Sequence, residues 1–411
     1  MVLTIVMTGC GSTAPASNAA AAKMTTKAQS GSHSSCRSGS ESGLGLGSDS
    51  AHRFRLLGEI RWDVDTRYGG VPVGGLSSID WDAERGEYLL VSDDRAEHGP
   101  ARYYTAQLRY DGHGLHDAWL TGMHELKGEG QRPFANTRQA ASDMPVPDAE
   151  AMRVNPRTRT LLWTSEGDFA RGFGPGLYEA ERGGPWLRAW PLPPLLQRPQ
   201  DPREAATTGP RGGFTLEGMG FSEDGQTLWL AMEGALKQDG PMPSPGDAGA
   251  PVRITALDAL TQAPIRQIAY QPDALPGAIW LLRHRAVNGV SDILADGPDH
   301  LLVLERSFSV DFGWGARLYR IRIQGDAAQM GTDTLNLPRL VPGQFRVAAK
   351  ELLLDFAQLG LRSVDNLEGM TWGPPLTSGE RVLVLASDNN FNPAEVTQFV
   401  ALAEVSGCIA E

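Results

Sequence analysis

The chain has 411 residues, 41% of them apolar, which is ordinary for a soluble protein and enough for one large domain or two smaller ones. A formal charge of −12 argues against a nucleic-acid backbone or an anionic lipid surface as partner, and no segment approaches the roughly 20 apolar residues of a membrane span. The 48 glycines and 28 prolines, with little helical periodicity, favour an all-β, turn-rich architecture.

Residues 1–10 are apolar and end in Met7–Thr8–Gly9–Cys10. A small residue before a cysteine resembles a bacterial lipobox, although the run is short and no Lys or Arg precedes it. Cys10 is the expected lipidation site, and the expected location is the bacterial cell envelope, lipid-anchored on the periplasmic side or surface. A soluble periplasmic or secreted form is the alternative. Residues 11–50 are rich in Ser, Ala, Gly and Thr and read as a flexible tether. Residues 51–411 read as a single domain. Cys36 and Cys408 stand near its two ends; in an oxidising envelope they either pair or remain two free thiols.

Phe54–Trp62 is a strand with nothing upstream to pair with, and Gln398–Val405 has the same problem at the other end. Between them one unit recurs five times, roughly 65–80 residues apart. Its copies are Leu76–Trp81 with Tyr88–Asp94, Asp148–Met152 with Leu161–Gly167, Leu216–Phe221 with Leu228–Gly234, Val290–Ile293 with Leu301–Arg306, and Asn366–Trp372 with Val382–Asp388. Each is two apolar runs about a turn such as Ser222–Gly225, where Asp-Gly marks a hairpin. Segments such as Tyr103–Tyr110, Leu115–Leu126, Gly176–Glu181, Val252–Leu257, Ile265–Tyr270 and Arg317–Ile323 supply further strands. Residues 344–356 read as a short helix or an outer strand. The loop insertions are 127–147, 191–213, 234–251 and 326–342. The sum is a β-propeller of five blades, with a sixth, degenerate blade left open. The N-terminal strand closes the ring by joining the last blade, which removes both open edges.

Antiparallel strands place the start of the first run and the end of the second at the same edge. Each repeat then brings two acidic positions to one mouth. The leading set reads Glu150, Glu217, Asp292 and Glu368, with Ser77 or Ser78 in the first copy. The trailing set reads Asp93, Glu166, Glu233, Glu305 and Asp388. So many carboxylates repel in low dielectric unless protons, basic groups or cations balance them. An oxygen-rich site suits Ca²⁺. The expected metal ligands are Asp93, Glu166, Glu233, Asp292, Glu305 and Asp388, and the expected catalytic carboxylates are Glu150, Glu217 and Glu368. Arg95, Lys237, Arg306 and Asn389 follow the acids closely and are the expected substrate-binding groups. No G-x-S-x-G, H-E-x-x-H, P-loop or CxxC motif is present.

The runs DAEAM…LLWTSEGD, LEGMGF…LWLAMEG, VNGVSDI…LLVLERSFS and NLEGMTWGP…LVLASDNNFNPAEVTQF resemble bacterial phytase-like proteins of the "esterase-like activity of phytase" family, over roughly residues 54–405. The resemblance implies a β-propeller and a phosphoesterase-type activity. The residues that match it are Glu150, Glu166, Glu217, Glu233, Asp292, Glu305, Arg306, Glu368, Asp388 and Asn389. The first repeat departs from it, with Ser77–Ser78 where the others carry an acid. The first functional reading is therefore an exported, monomeric hydrolase that uses Ca²⁺ to cleave a small phosphate ester. One alternative is a non-catalytic envelope propeller that binds a ligand or partner protein. A second is a lactonase-type calcium-dependent propeller hydrolase, kept open by Asn288, Asn366 and Asn389.

Overall fold

The computed structural model describes residues 53–275 and 286–405. Five four-stranded antiparallel sheets follow one another along these residues, each a meander. Blade one is Leu76–Asp82, Glu87–Ser92, Arg102–Asp111 and Gly114–Glu125. Blade two is Ala149–Val154, Leu161–Ser165, Gly176–Ala180 and Trp186–Trp190. Blade three is Leu216–Phe221, Thr227–Met232, Val252–Asp258 and Pro264–Tyr270. Blade four is Ala286–Ala295, His300–Ser309, Gly313–Arg322 and Lys350–Asp355. Blade five is Asn366–Gly373, Val382–Asp388 and Thr397–Glu404, completed by Phe54–Trp62.

The first strands of the five blades pack against one another in a closed ring. Among the described residues no sixth blade is present. Closure is as the unpaired ends required: Phe54–Trp62 runs antiparallel to the last strand, from Phe54 opposite Glu404 to Trp62 opposite Thr397. Ion pairs reinforce it, with Arg53 on both Glu404 and Asp296, and Arg381 on the same two carboxylates. Segment 344–356 resolves to an outer strand, Lys350–Asp355, and Trp186–Trp190 is a fourth strand that the sequence pattern did not mark.

Alternation along each strand sends apolar side chains to both faces, and each face meets a neighbouring blade. The result is five separate cores, one per blade junction. Trp163 and Met152 of blade two pack with Tyr103 and Val91 of blade one. Met219 and Leu230 pack with Leu162, Ile254 with Val303, Leu318 with Leu385, and Phe399 with Leu90. The ring is tight enough to require glycine at its centre. A Cβ on Gly369 would lie 2.6 Å from Ile79 N and 2.7 Å from Ser78 Cα. The three cysteines, with the 1–10 and 11–50 segments, lie outside the described residues.

Candidate active site: an acidic mouth

Every first strand carries a β-bulge at the same level, just inside the mouth. It falls between Leu76 and Ser78, Ala149 and Met152, Leu216 and Gly218, Val290 and Asp292, and Leu367 and Gly369. A bulge re-aims the extra side chain. The aligned leading set is therefore Ser77, Glu150, Glu217, Ser291 and Glu368. Across each hairpin, the residues before the bulge pair with Ser92, Ser165, Met232, Glu305 and Ser387. The next residues form the trailing set: Asp93, Glu166, Glu233, Arg306 and Asp388.

Blade four thus differs from the sequence expectation by one residue on both strands. Asp292 is not at the mouth. It sits one step deeper, where Arg153 Nη2 donates to its two oxygens at 2.8 and 2.6 Å. Met370 N and Ile293 N donate to it as well, both at 2.8 Å. Arg153 also reaches Ser78 Oγ, Ile79 O, Met152 O and Met370 O, so one guanidinium ties four blades at the hub. Burial pushes Asp292 up to about 6, against the pull of Arg153. Glu305 likewise turns away from the mouth. It accepts from Tyr270 Oη at 2.5 Å, Lys350 Nζ at 2.6 Å, and Asp273 N and Asn288 Nδ2 at 2.9 Å. A bulge leaves no mark in the residue types, so a Ser-Asp and a Glu-Arg pair give no sign of which member faces in.

The remaining acids do converge. One oxygen each of Asp148, Glu150 and Glu166 lie within 4.8 Å of one another, and so do one each of Glu166, Glu217 and Glu233. Glu166 belongs to both groups and is fixed by Thr215 N, which donates at 2.5 Å. Asp148 is the member that sequence reading missed, although it stands only two residues before Glu150. Glu217 and Glu233 bring one oxygen each within 4.8 Å of the other, so each carboxylate opposes charge on its neighbour. Glu368 accepts from Asn366 Nδ2 at 2.9 Å. Asp93 fills space above Gly75, where a Cβ would lie 2.0 Å from its Oδ1.

Against eight carboxylates (Asp93, Asp148, Glu150, Glu166, Glu217, Glu233, Glu368, Asp388) stand two arginines. Arg306 Nη2 donates to Glu233 at 2.8 Å and lies 3.5 Å from Glu368. Arg95 pairs with Asp148 at the rim. Lys237 takes no part; it is spent on Ala205 O in the 191–213 insertion. Asn389 shapes the rim, its Oδ1 accepting from Gly75 N and Phe391 N.

The electrostatics follow from burial and crowding. Burial, then Glu368 and Asp94, push Asp93 up to about 7. Burial pushes Asp148 and Glu233 up to about 8, although Arg95 pulls the first down and Arg306 the second. Glu150, Glu217 and Asp388 rise well above the usual carboxylate range, chiefly by burial and then by neighbouring carboxylates. The cluster is short of positive charge, and it also leaves buried polar atoms without partners: Asn366 Oδ1, Asn389 Nδ2, Ser77 Oγ and Arg306 Nε. A carboxylate and amide oxygen set at this spacing fits a hard cation, whose ligand oxygens lie about 2.3–2.6 Å from it.

A family described as phytase-like, with esterase-like activity of phytase, matches residues 71–391. The chain belongs to this family. Hydrolase-type activity is what the family description suggests for a phytase-like chain. No curated protein matches the sequence. Among solved structures, the phytase-like chain is similar to hydrazine synthase of Kuenenia stuttgartiensis, at 12% identity and a TM-score of 0.31 over 83% of this chain and 67% of that one. It is similar to the Dos1 propeller at 5% and 0.32, over 84% and 73%. It is similar to the tail fiber of Staphylococcus aureus phage P68 at 11% and 0.28, over 80% and 71%. Likeness at this level carries no site residue across, and the blade order stands on its own.

Proposed function

We propose that this phytase-like chain is an exported, calcium-assisted phosphoester hydrolase that works at the acidic mouth. The observation that carries the reading is the pair of carboxylate trios that share Glu166, with Arg306 as the guanidinium among them. Asp148, Glu150, Glu166, Glu217 and Glu233 would hold the cations, and Asn366 Oδ1 offers a neutral oxygen beside Glu368. A bound divalent cation supplies charge that polarises a phosphoryl oxygen and lowers the pKa of a water on it. The chain's own groups supply the rest. Arg306 has a buried Nε without a partner, and a phosphoryl oxygen can accept from it. Glu368, held by Asn366 and Arg306, is placed to take a proton from an attacking water. The proton that Glu368 takes from the water can then pass to the leaving oxygen, which balances the step.

A second reading has its own observation. Arg153 with Asp292 and Arg306 with Glu233 are ion pairs between blades, as in a propeller held together by charge without turnover. Two measurements separate the readings. Metal-free protein is titrated with Ca²⁺ while its melting temperature is followed, and p-nitrophenyl phosphate hydrolysis is assayed with and without Ca²⁺. Hydrolysis requires a saturable rise in melting temperature, lost in Glu166→Gln, and turnover that Ca²⁺ restores. A rise without turnover supports the binding reading. No rise at any Ca²⁺ concentration removes the cation from both.

A further inference from the structure

In four blades the second strand stops at the mouth, at Ser92, Ser165, Met232 and Asp388. In blade four it does not. Strands His300–Ser309 and Gly313–Arg322 continue past Arg306, pairing Ser307 with Gly315, Phe308 with Trp314 and Ser309 with Gly313. The hairpin stands above the mouth and carries aromatic groups. Trp314 packs on Phe308 with ring centroids 4.7 Å apart, and the Arg306 guanidinium lies 5.5 Å from the Trp314 ring. Phe312 is 65% exposed at the tip.

Beside this hairpin lies a cavity of about 250 Å³, with Trp314 and Phe312 on one side and Asn288 and Ser307 beneath. Its charged groups are already matched to one another. Arg317 pairs with Asp273 and Asp355, and Lys350 with Asp273 and Glu305. Among the described residues these groups demand nothing of a ligand and leave no free charge to seat a polyanion. The group left to meet one is the Asn288 oxygen, since Asn288 Nδ2 is committed to Glu305 and Asp273 O. Gly315 lines the cavity beside Ser307, and a Cβ on it would lie 3.1 Å from Ser307 Oγ.

We infer that this cavity is a subsite for a single uncharged aromatic ring, the alcohol portion of the ester, with the ring against Trp314 and a donor on the ring directed to Asn288. The size fits one ring, below the roughly 300–1,000 Å³ of pockets for drug-sized ligands. Trp314 lines the cavity and its ring lies beneath the Arg306 guanidinium, 5.5 Å away, so this one indole links the cavity to the mouth. The inference rests on the proposed hydrolysis only for naming what the ring is attached to.

The test is binding to the full chain, followed by saturation-transfer NMR and calorimetry, with phenol, myo-inositol and inositol hexakisphosphate as probes. Phenol is expected to bind saturably at about 1 mM or tighter, and at least tenfold more tightly than myo-inositol. Trp314→Ala and Gly315→Val should each weaken phenol at least tenfold, and Glu166→Gln should leave it unchanged. The two variants remove the wall and fill the space respectively, so a folding failure of one leaves the other to decide. Absence of saturable phenol binding, equal or better binding of myo-inositol, or phenol binding that neither variant alters would overturn the subsite. Phenol binding without Ca²⁺ stabilisation would reject the mouth reading alone, and the reverse result would reject the subsite alone.

Discussion

The hub and the mouth are built from the same ring of first strands, and each sets carboxylates against arginine. At the hub, the Arg153 guanidinium faces Asp292 and Asp80, Asp292 also takes two backbone amides, and one atom, Arg153 Nε, stays buried without a partner. At the mouth, eight carboxylates meet two arginines, and polar atoms stay buried without partners. The hub is close to complete without a ligand; the mouth is not. A fold would not retain the second arrangement for stability, because buried like charges cost free energy. On the proposed reading, the hub holds the blades together and the mouth takes the cation.

The largest test of this contrast is at the hub. Arg153→Met leaves Asp292 buried without its partner, and breaking a buried pair by removing one member costs about 3–5 kcal/mol. Urea denaturation should show that loss, whether or not Ca²⁺ is present. An unchanged midpoint would mean that the hub pair is not what holds the inner strands.

The next effect comes from pH. The Asp93, Asp148 and Glu233 carboxyls are pushed up to about 7, 8 and 8 in the folded state, chiefly by burial. Unfolded, they titrate near 4. Between those values the folded protein binds more protons than the unfolded chain, so stability falls as pH rises. The metal-free protein should therefore lose on the order of a few kcal/mol from pH 5 to pH 8. Ca²⁺ competes with those protons, so saturating Ca²⁺ should flatten or reverse the slope. Calorimetric melting across that window checks both, and a metal-free protein that gains stability toward pH 8 would contradict the acidic mouth as described. Glu217→Gln removes one of the crowded charges. It should raise the metal-free melting point at pH 8 by the equivalent of about 1 kcal/mol while weakening the Ca²⁺ response, with the trio of Asp148, Glu150 and Glu166 left intact.

Much of this arrangement was legible in the residues. Apolar alternation about turns such as Ser222–Gly225 gave the hairpins, and the unpaired Phe54–Trp62 gave the closure. Seven of the eight mouth acids were read directly. What stayed hidden depends on geometry with no residue signature. The bulge between Val290 and Asp292 moves Asp292 to the hub and sends Glu305 to Lys350 and Tyr270. Arg153 reads like any polar residue of an alternating strand, and only the closed ring shows that its guanidinium reaches four blades. Asp148 stood inside the second repeat but outside both acidic sets, and only the folded chain brings it beside Glu150 and Glu166.

The smallest effect compares two glycines. A Cβ on Gly369 at the hub would meet only backbone, Ile79 N at 2.6 Å and Ser78 Cα at 2.7 Å, which cannot move without parting blades one and five. A Cβ on Gly289 at the mouth would first meet Glu233 Cγ, at 2.5 Å, with backbone oxygen no nearer than 3.0 Å. A glutamate stem can change rotamer, and a strand in contact cannot. Gly369→Ala should then cost about 1–3 kcal/mol as overpacking, and Gly289→Ala about 1 kcal/mol or less. The cation response should rank the other way. Moving Glu233 disturbs the trio it forms with Glu166 and Glu217 and spares the trio of Asp148, Glu150 and Glu166, so Gly289→Ala should shift the Ca²⁺ midpoint several-fold while Gly369→Ala leaves it in place. If both alanines shift stability and Ca²⁺ affinity in proportion, hub and mouth respond as one unit and the division of roles between them fails.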